Sequence, residues 1–594
     1  MKRWVLLGLL GGAVACSSGS DPDPTGPEEE VCPGTEEVSV PRTAQSRSDA
    51  AALSQGEDER VIITYRPTVS ASAVASADAF SARALSLGAR VQRRFERIHA
   101  LAAHVSPAAK AALAADPDVV RVEEDRVVRA LGMPSLSPTL LLGGTPNTRG
   151  SVGEYTDGLK LVHAPQVWDA NNDGVLDDGA PSGSGIKVCV IDSGWDNRHP
   201  ELQAAYVGGK DFIDGDNEPL DQKVTNGVVE WGGGHGTHTA ATIAAQLGAG
   251  GHVRPGEDRD GVVGVAPTVE LLVARVLDTS GNGRTSDVVS ALEWCRTQNA
   301  KVVSLSLGST DPVQAEKDAF DEAFAAGVLS VAATGNRGVQ GVSFPAAYDS
   351  VIAVGAVDFQ QQWASFSQYG PQVSLVGPGV SVLSATIVGG APYGDVDAAG
   401  TNYTSEPLEY TTLGNYTGKL VYCALGDRVS SCGAGATCGG FVALVDRGGG
   451  IYFEDKARNA IRAGAKAIII GNNEAAEGTG TFTLNGPASY WVPTTSVSMD
   501  SANLLKQRVG QDVTVQVAGL DYLRETGTSM ATPHVAGVAA LAWSACPALT
   551  NRQIRDILRT TARDLGPQGK DDKFGDGLVQ ADAAVSKADS LCPP

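Results

Sequence analysis

Positive charge is scarce in this sequence: 46 Lys and Arg stand against 68 Asp and Glu in 594 residues, a formal net charge of -22. With a pI near 4.8, such a chain repels polyphosphate from most of its surface, which makes nucleic acid a poor partner. Long apolar runs are missing too. Beyond the N-terminus no stretch approaches ~18 uninterrupted apolar residues, so no transmembrane helix is expected. Aromatic residues are only 6% of the chain while glycine numbers 71, a balance that suits a turn-rich α/β protein better than a helical bundle or a coiled coil. What is plentiful is core material. Hydrophobic residues make up 42% and mean hydropathy is -0.06, so wholesale disorder is excluded and the length leaves room for roughly three to five folded units.

Residues 1–16 read MKRWVLLGLLGGAVAC, with Lys2 and Arg3 ahead of a short apolar run from Trp4 to Ala15. The run falls short of the ~20 residues a spanning helix needs and is expected to be an export signal. Ala13-Val14-Ala15-Cys16 resembles the lipobox of bacterial lipoproteins, with Ala13 in place of the usual Leu. The resemblance implies acylation of Cys16 and a lipid anchor; ordinary cleavage after Ala15, with Cys16 incidental, is the alternative. Residues 17–57 read as a polar tether and linker. Export permits disulfides among the nine Cys. Cys423, Cys432 and Cys438 predict a local staple with one thiol left over, preferred to zinc in a Gly-rich stretch without His, and Cys546 with Cys592 could close the C-terminal segment.

Residues 58–130 give strand-like RVIITYR, an Ala- and Ser-rich helix over 70–87, a strand-like run from Arg97 to Val105, a helix from Ser106 to Ala115 and then VVRVEEDRVVRAL. This is a β-α-β-β-α-β order of ferredoxin type. Residues 131–153 read as a linker and processing region. In residues 154–397 apolar runs alternate with Gly-bounded helices: IKVCVID, ELLVARVL, KVVSLSLG, VLSVAATGN and VIAVGAV. They predict an α/β fold with a doubly wound parallel sheet buried on both faces. Residues 398–520 switch to a second, small α/β pattern, and the first resumes over 521–594. The middle unit is expected to be an insertion into a loop of the larger domain.

Four short stretches carry the chemistry. The strand KVCVID ends at Asp192-Ser193-Gly194, at the edge where open α/β sheets bind ligands. His235-Gly236-Thr237-His238-Thr239-Ala240 opens a helical run, where an imidazole can be oriented by a buried carboxylate through one nitrogen and take a proton on the other. The three-residue offset of the two His disfavours a helix-borne zinc pair. AATGN places Asn336 in a Gly-flanked turn, as an amide donor to an oxyanion would need. Gly527-Thr528-Ser529-Met530-Ala531-Thr532-Pro533-His534 sets a Ser at a helix N-terminus, a common plain cap but also a place with free N–H groups.

In that order, DSG, HGTHTA, ATGN and GTSMATPH resemble the subtilisin-like serine proteases, the subtilases. The resemblance implies Ser529 as nucleophile, His235 as general base and then acid, Asp192 as its orienting carboxylate, and Asn336 with the Ser529 N–H as the oxyanion site. It implies structural roles for His238 and His534. KVVSLSLGS resembles the family's substrate-binding strand, with Ser306, Leu307 and Gly308 in place, and Gly281 and Gly283 are expected on the opposite rim. An extended peptide would add between them; core packing is the alternative for Leu307. Residues 58–130 resemble the family's inhibitory propeptide, and VDRGGGIYFEDKARNAIRAGAKAIIIGNN resembles a protease-associated domain.

Together these resemblances imply an exported serine endopeptidase, secreted or lipid-anchored, made as a zymogen, acting on proteins through an acyl-enzyme and needing no cofactor for its chemistry. Its own propeptide would be its inhibitor. A catalytically silent binding module on the same scaffold is the alternative. An esterase ranks last, since GTSMA stands where a G-x-S-x-G elbow belongs. Structural calcium is expected, if anywhere, at Asp169, Asn171, Asp173 and Asp177, which follow the start of a calcium loop but meet Ala180 where a Glu belongs, or at Asp211, Asp214 and Asp216.

Overall fold

The computed structural model describes Cys32 and Pro33, then residues 58–67, 72–131, 133–134, 153–225, 228–254, 258–475, 478–480, 482–484 and 488–592. The export signal, Cys16, most of the tether and most of the 131–153 linker lie outside them.

Residues 59–124 form a four-stranded antiparallel sheet in which Glu59–Tyr65 lies between Ala100–Val105 and Val119–Glu124, with Arg90–Phe95 at the far edge. Helices Ala73–Ser86 and Pro107–Ala114 start at Ser72 and Ser106, whose side chains accept from Ala75 N and Ala109 N. The element order is that of a ferredoxin-like unit. Its other sheet face presents Ile62, Phe95, Ala100 and Ala102, which join the apolar core of the larger domain. Ion pairs rim that contact: Arg93 with Asp287, Arg97 with Glu293 and Glu322, Arg121 with Asp318, and Arg126 with Asp311.

The larger domain is built on a seven-stranded parallel sheet. Its spatial order is Val373–Pro378, Val351–Val357, Leu329–Ala333, Val302–Leu305, Lys187–Asp192, Glu270–Arg275, Tyr206–Asp211. Strand order reverses beside Lys187–Asp192, which makes its carboxyl end the natural ligand position. Helix Thr528–Ala545 is buried nearly all round and packs against five of these strands. A disulfide joins Cys189 in strand Lys187–Asp192 to Cys295 on helix Thr285–Thr297, and another joins Cys546 to Cys592.

The inserted unit is a closed seven-stranded barrel with helices Phe453–Arg462 and Met499–Lys506 against it. It begins at Ala391, seven residues before the change of pattern at Ala398, because strand Ala391–Ala398 alternates polar and apolar residues and carries no continuous apolar run. Its first strand pairs with its last, Ala391 opposite Leu520. The flanking strands Val382–Ala385 and Tyr522–Thr526 pair in the same antiparallel sense. The barrel therefore hangs on a two-stranded ladder, one rail of which ends at Thr526, just before Gly527-Thr528-Ser529. Within it Cys423 bonds to Cys432, while Cys438 bonds to Cys32.

Candidate active site

Asp192 closes strand Lys187–Asp192 and is fully buried. The turn that follows uses Gly194 at φ +99, and helix His235–Ala244 approaches so closely that a Cβ on Gly236 would lie 2.1 Å from the Gly194 carbonyl oxygen. Only glycine allows that approach. It brings His235 Nδ1 to 2.7 Å from Asp192 Oδ1. The same carboxylate accepts from Ser193 N at 2.7 Å and from the Thr239 hydroxyl at 3.4 Å. Ser193 Oγ in turn accepts from Gly236 N at 3.0 Å and donates to Asp221 at 3.1 Å.

Burial alone would depress the imidazole of His235. The Asp192 charge and hydrogen bond outweigh it, Glu525 and Asp221 add to them, and the ring is raised to about 9. Burial pushes Glu525 itself up to about 7 against the pull of His235, and Asp221 up to about 6. Among the described residues His235 Nε2 has no hydrogen-bond partner.

Ser529 is the second residue of helix Thr528–Ala545. Its hydroxyl donates to the Ser306 carbonyl at 2.9 Å and not to His235. Its own carbonyl accepts from Ser306 Oγ at 2.8 Å. That carbonyl is free because Pro533, four residues on, has no N–H to return to it. Asn336 follows strand Leu329–Ala333 in a turn through Gly335 at φ +111. Its Oδ1 accepts from Thr528 N at 2.9 Å and Thr528 Oγ1 at 2.8 Å, which turns Nδ2 outward. There Nδ2 donates to the carbonyl oxygen of Leu131.

Leu131 follows a strand, Val127–Ala130, that runs between two rims of the larger domain as the middle of a three-stranded antiparallel sheet. On one rim Asn282, Gly283 and Arg284 pair with Arg129, Val128 and Val127, and Gly281 O accepts from Ala130 N at 2.9 Å. On the other, Leu307 and Gly308 pair with Ala130 and Arg129, and Ser306 O accepts from Leu131 N at 3.0 Å. The Leu307 side chain is buried in the core cluster, so its backbone borders the strand while its side chain packs inward. A Cβ on Gly308 would lie 3.1 Å from Leu131 Cδ1, so the bare glycine makes room for the leucine side chain. Beyond Leu131, Met133 and Pro134 pair with Thr526 and Glu525.

His238 Nε2 is held by the carbonyls of Val382 and Leu523 at 3.0 and 3.2 Å, and burial lowers the ring to about 3. His534 Nδ1 meets the Met530 carbonyl at 2.7 Å, and burial lowers it to about 4. Both are neutral rings fixed in the core.

The calcium expectations meet other chemistry. Asp169 accepts from the backbone of Asp173 and Gly174, both at 3.0 Å, and from the Tyr155 hydroxyl. Asp177 accepts from Ala170 N, while Asn171 and Asp173 bond each other. At the second loop the buried guanidinium of Arg275 sits between Asp211 and Asp214, at 2.8 and 2.7 Å. Among the described residues no group of three or more His, Cys, Asp or Glu is placed to hold a metal ion.

Sequence reasoning passed over Thr528, which lies inside the quoted motif and aims Asn336, and over Glu525 and Asp221, whose approach to His235 depends on chain pairing. It also left Leu131 as the first residue of a linker, with no sign that its carbonyl meets Asn336.

The profile of the subtilase family matches residues 183–419 and 390–577. Subtilisin NAT of Bacillus subtilis subsp. natto is 33% identical over 352 residues, 58% of this chain and 77% of its own length. M-protease of Shouchella clausii is 37% identical over 290 residues, 49% of this chain and 63% of its own. Among solved structures, fervidolysin of Fervidobacterium pennivorans is similar with a TM-score of 0.54 at 20% identity, covering 89% of this chain and 61% of that one, a likeness of fold.

Proposed function

The chain belongs to the subtilase family and is a subtilisin-like serine endopeptidase, and from that premise we propose that Ser529, His235 and Asp192 form its catalytic triad, with Asn336 as oxyanion donor. The observation that carries the assignment is the backbone of Leu131, held at both its N–H and its carbonyl, with Asn336 Nδ2 on that carbonyl oxygen. A peptide so placed offers its carbonyl carbon for attack and its oxygen for charge stabilisation.

For the reaction, the Ser529 hydroxyl leaves the Ser306 carbonyl and gives its proton to His235 Nε2 as Oγ attacks. Asp192 keeps Nδ1 protonated and stabilises the resulting cation. The negative charge that develops on the carbonyl oxygen falls to Asn336 and the Ser529 N–H. His235 then protonates the leaving amine, and water hydrolyses the acyl-enzyme by the same route. The substrate is an extended segment of protein added between the 281–284 and 306–308 rims.

In this reading residues 58–131 are an inhibitory prosegment of an exported zymogen and the barrel is a protease-associated domain that shapes access to the cleft. Cys16 is a lipid anchor. The test is a fluorophosphonate probe on the purified full-length protein. Labelling at Ser529, lost in Ser529→Ala, supports the assignment; an unlabelled Ser529 in folded protein freed of its prosegment refutes it.

A further inference from the structure

Two features of the chain, one at the cleft and one far from it, together define what maturation produces. At the cleft, Ala130 N and Leu131 N donate to Gly281 O and Ser306 O at 2.9 and 3.0 Å, and the Leu131 carbonyl accepts from Asn336. The chain continues at Met133–Pro134, which pairs with the strand that leads to Ser529. Leu131 on one side of the Leu131–Gly132 bond, and Met133 and Pro134 beyond it, are therefore both paired with the larger domain.

Away from the cleft, Cys32 is bonded to Cys438. Cys32 precedes the four-stranded unit and Cys438 lies in the barrel, so this bond joins the two sides of Leu131. The other three disulfides, 189–295, 423–432 and 546–592, all lie on the C-terminal side. Cys32 is also seated: it is 6% exposed and its N–H donates to Arg462 O at 2.9 Å.

We propose that the self-processing a zymogen of this family undergoes falls between Leu131 and Gly132, and that its product is a two-chain molecule in which the N-terminal chain remains bonded to the catalytic chain through Cys32–Cys438. The inference rests on the endopeptidase reading above. Ser529 Oγ forms an ester with the Leu131 carbonyl carbon, the Leu131–Gly132 bond breaks, and the proton carried by His235 goes to the new Gly132 amine. One water then releases the Leu131 carboxylate and restores the Ser529 hydroxyl.

The disulfide takes no part in these steps, and the consequences follow from that. A cut prosegment tethered through the Cys32–Cys438 bond faces the cleft at an effective concentration on the order of millimolar. It does not dilute away, so cutting alone does not free the enzyme. Freedom comes with two electrons from a dithiol reductant, or with a second cut between Cys32 and the four-stranded unit. After such a second cut, Cys32 and whatever lies before it stay attached to the barrel. Any lipid on Cys16 would then hold the active protease to its membrane.

The experiment is intact mass and gel analysis of the full-length protein made under oxidising conditions, with free thiols blocked, alongside fluorophosphonate labelling. The expected result is one species without reductant, with the mass of the uncut chain plus one water, and two chains after reduction, the larger beginning at Gly132. A peptide map should contain the Cys32–Cys438 cross-link. Chains that separate without reductant overturn the tether, and a new N-terminus other than Gly132 overturns the bond assignment. An uncut chain that still labels at Ser529 overturns the self-cleavage while leaving the endopeptidase standing. An uncut and unlabelled chain counts against the catalytic reading itself. In Cys32→Ser the two chains should part without reductant; the wild-type cross-link map decides the matter even where that variant misfolds.

Discussion

Val128 lies three residues before Leu131 and is completely buried, in a cluster that includes Leu277, Val288 and Leu292 of the larger domain. Its neighbour Arg129 points away and is exposed, as strand alternation requires. A peptide substrate that follows the same path as Val-Arg-Ala-Leu should therefore be read at its fourth residue before the cut and ignored at its third. Replacing that Val by Ala removes two methyl groups from an apolar site. At about 0.8 kcal/mol each this is roughly 1.6 kcal/mol, or about 15-fold in kcat/KM. The same cluster includes Ile62 and Phe95 of the N-terminal unit, which a short peptide lacks, so about fivefold is the floor for the effect. Replacing the Arg by Ala should change kcat/KM by less than about threefold, the range of an exposed contact. The assay is hydrolysis of internally quenched peptides by the reduced, prosegment-free enzyme. An Ala peptide cut as fast as the Val peptide, or a larger loss at the Arg position than at the Val position, would refute the register of the groove.

Other consequences are equally open to measurement. His235 must be neutral to take the proton, and it is held near 9, so kcat/KM should climb with pH through the alkaline range. Glu525→Gln removes one of the charges that hold the imidazolium, and the rise should move to lower pH; an unmoved profile would show that Glu525 does not act on His235. Asn336→Ala should lower kcat by about 10²–10³ with little change in KM, a range measured for one such donor in subtilisin and not worked from this structure; a loss confined to KM would contradict the oxyanion role. Arg275→Met leaves Asp211, 1% exposed, without its guanidinium and should cost about 3–5 kcal/mol, read by denaturant unfolding in a Ser529→Ala background that prevents self-digestion. A loss under about 1 kcal/mol would mean that Arg275 is not what holds that loop.

The inner strands of the parallel sheet were legible because each is a continuous apolar run, as in Val351–Val357, where all seven residues are buried. Its edge strands were not. Tyr206–Asp211 carries two glycines and a lysine, and only its last residue is buried, so no apolar run announces it. Arg90–Phe95 escaped for a related reason: RVQRRF carries three arginines, buries only Phe95 and looks like a loop. Asp192, His235, Asn336 and Ser529 could be read because their motifs also encode the close approaches that unite them, such as Gly236 against Gly194. Partnerships across long sequence separation were closed to such reasoning. Cys438 reads as an odd thiol beside Cys423 and Cys432, and only the chain's path over 406 residues gives it Cys32.

The ladder on which the barrel hangs encloses its own ends. Thr386 N donates to Asp521 O at 2.7 Å, so the chain leaves the larger domain and returns to it at hydrogen-bonded neighbours. Whatever length is threaded beyond that point adds to the closure cost only as the logarithm of its size, and the ladder already closes it. In topological terms the barrel is a parenthesis: it can be lengthened, exchanged or deleted without changing the order in which the sheet's strands are read. A chain in which a short turn joins residue 388 to residue 521 would keep every strand of the parallel sheet and every side chain around Ser529.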